Sequence, residues 1–334
     1  MSRVVPLVSV IVPTHNRVSL LRLTLRSVLW QEGIDLEVLV VDDGSTEDVP
    51  TAVKEIGDAR VRVLRHETPQ GVSSARNVGV AAATGTWVAF IDDDDLWAPD
   101  KLISQVRAAE VEGSAWAYTG AVNVTTDLRL IGGAPPADPL EVVANLQRAN
   151  LVPGGCSSVI VRRRVLPEEP FDRSLGTCAD WDLWIRLSRI ARPVGITRPL
   201  VGYRVHGTNM SLDIARTMSE LAQIETRYGG PIDWARMYRY LARVSLRGSR
   251  HRDAIAFYCR AARADKKYRH EDFVPDLIEV AEAVERRLRQ RVARALNQAP
   301  RNRQTRPERR YASEWEWVQQ ARPWLDELMQ FQRE

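Results

Sequence analysis

Over the first hundred positions the apolar residues come in short unbroken runs, and each long run ends in a polar cluster. Residues 7–12 (Leu-Val-Ser-Val-Ile-Val) break at Pro13-Thr14-His15-Asn16-Arg17. Residues 36–41 end at Asp42-Asp43-Gly44-Ser45, and residues 87–91 (Trp-Val-Ala-Phe-Ile) end at Asp92-Asp93-Asp94-Asp95. Runs this short, rich in β-branched and aromatic residues, predict buried strands. A shorter strand is predicted over 61–64. Between the strands, Leu20, Leu21, Leu23, Leu25, Val28 and Leu29 recur at helical spacing. Residues 46–56 can form a second helix. A third, capped by Ser73 or Ser74, runs to Gly85. Pro99 fits the first position of a fourth, with Asp100 in its first turn.

The alternation is β-α-β-α-β-α-β, which argues for a parallel sheet covered by helices. Right-handed crossovers bring the loops after strands one, two and four to one edge. Ligands bind at that edge in open α/β sheets. Four carboxylates in a row repel one another unless something positive holds them. A divalent metal, Mg²⁺ or Mn²⁺, suits hard oxygen ligands of this kind. No glycine-rich phosphate fingerprint follows the first strand, which counts against a dinucleotide fold and against a P-loop.

Downstream, 115–118 and 157–161 read as strands and 140–149 as a helix. Residues 127–138, with Gly132-Gly133 and Pro135-Pro136, read as a loop. Leu183, Trp184 and Leu187 share a helical face, which puts Asp180 at that helix's start. From about Leu212 the pattern is helical. Residues 234–246 and 254–264, broken at Gly248, form a helix hairpin with the spacing of a single tetratricopeptide unit. Arg286, Arg287, Arg289, Arg291 and Arg294 lie on a long helix, and Arg301, Arg303, Arg306, Arg309 and Arg310 continue through a linker. Trp315, Trp317, Trp324, Leu325, Leu328 and Phe331 form a terminal amphipathic helix. The expected division is an α/β domain over 1–210 and an all-α C-terminal region over 211–334.

Composition narrows the class only a little. The 334 residues, 44% hydrophobic and 27% charged, can build a globular core. A net charge of +4 does not point to nucleic acid as a partner. Cys156, Cys178 and Cys259 have neither metal-ligand nor disulfide-framework spacing, as expected of a reduced, cytoplasmic protein. Residues 1–6 show no signal-peptide pattern, and no apolar run approaches the ~20 residues of a membrane helix. Membrane contact is therefore expected to be peripheral at most, through the Arg- and Trp-rich C-terminus.

In order along the chain, Val10–Arg17, Val41–Ser45, Gly71–Asn77, Ile91–Lys101, Ala179–Leu187 and Tyr203–Asn209 resemble the motifs of glycosyltransferase family 2. The resemblance covers roughly the first 210 residues. It implies a GT-A fold and an inverting transferase using a nucleotide-diphosphate sugar, with a hydroxyl-bearing glycan, lipid-linked or other acceptor. By that resemblance Pro13, Thr14, Asn16, Arg17, Asp42 and Asp43 line the nucleotide pocket, and Asp42 favours a UDP- or dTDP-sugar. Arg76 and Arg204 lie near the diphosphate. Asp92 and Asp94 match the outer positions of the DXD motif. Asp94 is then the metal ligand, Asp93 faces the ribose or sugar, and His206 can approach the metal. Asp180 matches the proposed general base. The family often has Glu-Asp here where this chain has Ala179-Asp180, which leaves the acceptor class open.

Each assignment has a plainer rival. Asp180 can cap its helix, Arg76 can pair with a local carboxylate, and His206 can be structural. Two other functions compete with transfer. A sugar-1-phosphate nucleotidyltransferase would need a basic glycine-rich loop after strand one, and residues 13–17 lack it. A non-catalytic sugar-nucleotide-binding scaffold would have no use for an intact Asp94 and Asp180.

Overall fold

The computed structural model describes residues 7–267, 273–295 and 312–331. Arg301, Arg303, Arg306, Arg309 and Arg310 lie outside these residues, as does the start at 1–6. The described chain divides into two compact units. One takes in 7–146, 150–205 and 312–331; the other takes in 147–149, 206–267 and 273–295.

The first unit is built on β1 (Val8–Thr14), β2 (Leu36–Asp43), β3 (Val61–His66) and β4 (Trp87–Phe90). These four pair in parallel in the order β3-β2-β1-β4, as the alternation requires. The inward residues of β1, β2 and β4 are buried, and those of β3 partly so, because α1 (Val18–Leu29), α2 (Val49–Lys54) and α3 (Val72–Ala82) join the strands across crossovers. The sheet continues through β8 (Val159–Arg162), antiparallel to β4, then β6 (Trp116–Val124) and β9 (Val194–Arg204), to the two-residue β5 (Leu96–Trp97). Short helices α5 (Pro139–Asn145) and α6 (Ala179–Ser188) complete this half.

Three features differ from expectation. β5 intervenes after the acidic run, so α4 (Lys101–Val111) starts later than Pro99 suggests. Residues expected as loop around Gly132-Gly133 form β7 (Leu130–Ala134), paired with β6. Arg198-Pro199 reads in the sequence as a turn, yet β9 runs through it, with register shifts at Thr119 and Gly120 absorbing the proline.

The helical unit contains α7 (Ile214–Tyr228), α8 (Trp234–Arg247), α9 (His251–Ala264) and α10 (Phe273–Ala295). The expected α8–α9 hairpin is present. Leu241, Ala254, Tyr258 and Ala261 share its core with Val280 of α10. The last two helices, α11 (Ala312–Gln319) and α12 (Arg322–Phe331), belong with the sheet unit by their contacts, although the sequence places them with the helical region. Trp324, Leu325 and Leu328 are buried there against Leu96, Val122 and Leu200. The apolar face offered for a membrane surface therefore packs on the sheet unit. Among the described residues no helix is long and apolar enough to cross a membrane.

Candidate active site

The loops after β1, β2 and β4 meet at one sheet edge and are tied by side chains. Asn16, at a positive φ of 54°, accepts from the Thr46 N–H at 2.7 Å, while its own N–H donates to Ser45 Oγ at 2.9 Å. Gly44 must be glycine: its φ is +68°, and a Cβ there would lie 2.7 Å from the backbone of Thr68 and Pro69. Asp43 accepts from the N–H groups of Gln70 and Gly71, both at 2.8 Å, and bonds His66 at 2.7 Å. It thus fixes the start of α3. Asp42 is fully buried and accepts from the Ser45 N–H at 2.9 Å and from Arg65 at 2.5 Å. Asn16, Asp42 and Asp43 thus tie these loops together through backbone N–H groups. Pro13 and Thr14 are buried at the end of β1.

Each of the four aspartates after β4 has its own surroundings. Asp92 is half-buried and holds Arg76 at 2.5 Å. Asp93 accepts from Thr14 at 2.7 Å and from Arg17 at 3.3 Å. Asp94 meets Arg17 at 2.9 Å. Asp95, fully buried, accepts from Ser157 at 2.5 Å and from the Arg204 N–H at 3.3 Å. Burial, then the Asp94 charge, pushes Asp93 up to about 7, against Arg17 and Thr14. The same two causes raise Asp95 well above the usual carboxylate range, against Ser157 and Arg204. Burial works against the Arg17 charge, yet Asp93 and Asp94 outweigh it and raise its pKa.

The turn is short of positive charge, and its oxygens are close together. Single carboxylate oxygens of Asp92, Asp94 and Asp95 lie within 4.8 Å of one another. That set of hard donors fits one Mg²⁺- or Mn²⁺-sized ion. Asp94 and Asp92 were expected here from the sequence. Asp95 was given no role, although it belongs to the same run.

Arg204 does something other than face a ligand. Its guanidinium bonds the carbonyl oxygens of Asp94, Asp93 (3.3 Å) and Leu20 (2.8 Å), and Thr24 Oγ1 at 2.7 Å. Thr24 Oγ1 lies 2.8 and 2.9 Å from the carbonyl oxygens of Asp93 and Asp95. Both residues therefore hold the acidic turn from behind. Ser157 does so from the side, donating to Asp95 and accepting from the Asp92 N–H at 3.0 Å. Nothing in sequence spacing marks Thr24 or Ser157 for this task. His206 falls in the helical unit, where its ring bonds Thr208 at 2.9 Å and Asn209 at 3.3 Å.

Arg76 and Asp180 lie at the open side of the turn. Arg76 is buried, and its Nε has no hydrogen-bond partner. Burial opposes its charge, but Asp92 first, and Asp180 further down, raise its pKa. Asp180 sits in the first turn of α6 and accepts from the Trp181 N–H at 2.7 Å. It keeps part of its surface exposed, yet burial pushes its pKa up to about 6, against the pull of Arg76. Asp92 and Asp180 thus flank one guanidinium that carries an unused donor.

One edge of the α/β sheet thus gathers a carboxylate cluster, a buried guanidinium and a further carboxylate of raised pKa. A family model for glycosyl transferase family 2 matches residues 9–168. An uncharacterized glycosyltransferase of Nostoc sp. is 30% identical over 236 residues, covering 64% of this chain and 69% of that protein. This chain belongs to glycosyltransferase family 2, which bears out the family and the enzyme class read from the sequence.

Two other relatives match over less of the chain. The UDP-Glc:alpha-D-GlcNAc-diphosphoundecaprenol beta-1,3-glucosyltransferase WfgD of Escherichia coli is 28% identical over 54% of this chain and 69% of its own length. The succinoglycan biosynthesis protein ExoO of Rhizobium meliloti is 37% identical, over 37% of this chain and only 36% of ExoO. Among solved structures, S. aureus TarS 1-349 in complex with UDP-GlcNAc superposes with a TM-score of 0.54 at 18% identity, covering 85% of this chain and 83% of TarS 1-349. Mannosyltransferase PcManGT from Pyrobaculum calidifontis, in complex with GDP-Man and Mn²⁺, gives 0.53 at 18% identity, covering 96% and 87%. At such identity the likeness shows the fold alone, and it agrees with the GT-A expectation.

Proposed function

We propose that this chain transfers a sugar, with inversion, from a nucleoside-diphosphate donor to an acceptor hydroxyl, using a divalent metal. The observation that carries the reading is the group Arg76, Asp92 and Asp180. A buried guanidinium with an unpartnered Nε pairs with Asp92 of the acidic cluster and interacts with the charge of Asp180, whose pKa is raised to about 6. An anionic ligand oxygen would satisfy that donor, and a diphosphate offers several.

In this reading Asp94, with Asp92 and Asp95, holds the ion, and Asp93 stands on the ribose or sugar side. When bound, the ion supplies Lewis-acid stabilisation for charge growing on the departing diphosphate. Arg76 orients the diphosphate. Asp180 takes the proton from the acceptor hydroxyl as that oxygen attacks the anomeric carbon from the face opposite the leaving group. A single displacement of this kind inverts the configuration. Pro13, Thr14, Asn16, Arg17, Asp42 and Asp43 form the wall on the nucleotide side.

The relatives support a glycoconjugate setting. WfgD is named for a UDP-glucose donor and a diphosphoundecaprenol-linked acceptor, and PcManGT was solved with Mn²⁺. A lipid-linked acceptor would bring the chain to a membrane surface without a spanning helix. The test is to incubate the full chain with Mn²⁺, a panel of UDP-, dTDP- and GDP-sugars, and saccharide or lipid-linked acceptors. Transfer should require Mn²⁺, stop with EDTA and be lost in Asp94→Ala. If no donor binds, or Asp94→Ala behaves as wild type, the reading fails.

A further inference from the structure

The terminal helices α11 and α12 leave the helical unit's sequence behind and settle on β6, β7, β9 and α1, in places cut to their side chains. The Trp317 ring lies over Gly120 and Gly133. A Cβ at Gly120 would come within 2.3 Å of that ring, and one at Gly133 within 3.1 Å. The Trp317 N–H donates to the Thr197 carbonyl at 2.5 Å. The Trp324 N–H donates to the Pro199 carbonyl at 3.3 Å, and a Cβ at Gly202 would lie 3.1 Å from its ring. Phe331 meets Trp30 edge-on at 5.5 Å, and Arg26 donates to the Phe331 carbonyl.

What this pair of helices touches matters more than how tightly it packs. The shared apolar cluster includes Leu23 of α1, Leu96 of β5 and Leu200 of β9. Leu23 precedes Thr24, Leu96 follows Asp95, and Gly202 stands two residues before Arg204. Thr24 and Arg204 are the groups that grip the acidic turn from behind, and Asp95 is part of the turn itself. Each is therefore held by a backbone segment that α12 covers.

We infer that residues 312–331 form a positioning element of the donor site. Docked on α1, β5 and β9, they fix the rear supports of the acidic turn, so metal affinity depends on a segment remote in sequence. The inference rests on the metal-dependent reading above. Loss of the groups that hydrogen-bond a metal-binding turn from behind commonly costs about 10–100-fold in affinity, and α12 acts through Thr24 and Arg204, which are such groups here.

The experiment uses the full chain, wild type against Trp324→Ala and Trp324→Phe. Mn²⁺ is titrated in the presence of UDP or GDP, whichever raises the wild-type melting temperature. Donor KM and kcat are measured alongside. Trp324→Ala should weaken Mn²⁺ by about tenfold or more and raise donor KM, and Trp324→Phe, which keeps a ring against Gly202, should recover most of both. If Trp324→Ala melts earlier yet keeps wild-type Mn²⁺ affinity and KM, the segment is packing alone and the inference falls. Should Trp324→Ala fail to fold, Trp317→Ala and Phe331→Ala make the same comparison at either end, and wild-type Mn²⁺ affinity in both overturns it. Wild-type chain that binds no Mn²⁺ with either nucleotide sinks the functional reading itself, and this inference with it.

Discussion

Replacing Asp180 by asparagine should make the protein more stable and far less active. The carboxyl has an ordinary value of 3.8 and is raised to about 6, chiefly by burial. Below pH 3.8 the folded and unfolded chains both carry the proton, and the group's contribution to stability is complete. As pH rises, the unfolded chain ionises first, so stability is lost progressively until the folded group ionises near 6. Above that, the difference corresponds to at most about 3 kcal/mol. The partial exposure of Asp180 screens its charge, and roughly 1–2 kcal/mol is the more realistic figure. The amide keeps the oxygen that accepts from the Trp181 N–H and carries no charge. Asp180→Asn should therefore melt about 2–6 °C higher at pH 8, and this gain should vanish below about pH 4. Its transfer rate should fall by roughly 10²–10⁴, as when a general base is removed, while donor binding persists. In wild type, kcat should decline as pH drops through about 6, where the base takes up its proton. Thermal melts at pH 4 and 8, paired with single-turnover rates and donor titrations, decide the matter. An asparagine variant that melts lower at pH 8, keeps its rate or loses the donor would refute the assignment.

Two further substitutions probe neighbours of the base. Arg76→Lys keeps the charge but loses the planar guanidinium that bonds Asp92 and carries the unpartnered Nε. Donor kcat/KM should drop by about 10–100-fold, equivalent to roughly 1.5–3 kcal/mol for a charge-assisted bond, and an unchanged value removes Arg76 from the diphosphate. Ser157→Ala deprives Asp95 of a donor and strands the buried Asp92 N–H. It should cost about 1–3 kcal/mol in a denaturant melt and weaken Mn²⁺ by roughly tenfold; Mn²⁺ binding equal to wild type would show that Ser157 does not shape the cluster.

Strands β1, β2 and β4 were legible because they are buried on both faces and read as near-continuous apolar runs. The same runs end in the polar loops, so the place of the acidic turn followed from topology. What escaped depends on partners distant in sequence. β7 looked like a loop because Gly132-Gly133 normally signals a turn, whereas Gly133 leaves room for Trp317. β9 runs through Pro199 because its partner strand changes register there. The amphipathic pattern of α12 announces a buried face but not what buries it. Arginine is ambiguous in the same way: a guanidinium fork suits a phosphate, and it suits the backbone carbonyls of a tight turn equally well, which is where Arg204 went. Asp95 was visible as a fourth carboxylate, but only the fold shows which three of the run converge.

The three glycines beneath the two indole rings leave a trace that can be sought in other genomes. Gly120, Gly133 and Gly202 sit in strands, where a glycine weakens the sheet and selection would ordinarily replace it with a β-branched residue. Here such a replacement displaces the Trp317 ring outright at Gly120 and crowds an indole at Gly133 and Gly202, so ring and hollow are expected to be lost together. Descendants of this lineage that have shed the last twenty residues should have refilled all three hollows, and those that keep the rings should keep them bare. Mixed cases, with valine at 202 above an intact tryptophan at 324, should be rare enough that each one marks a rebuilt back wall.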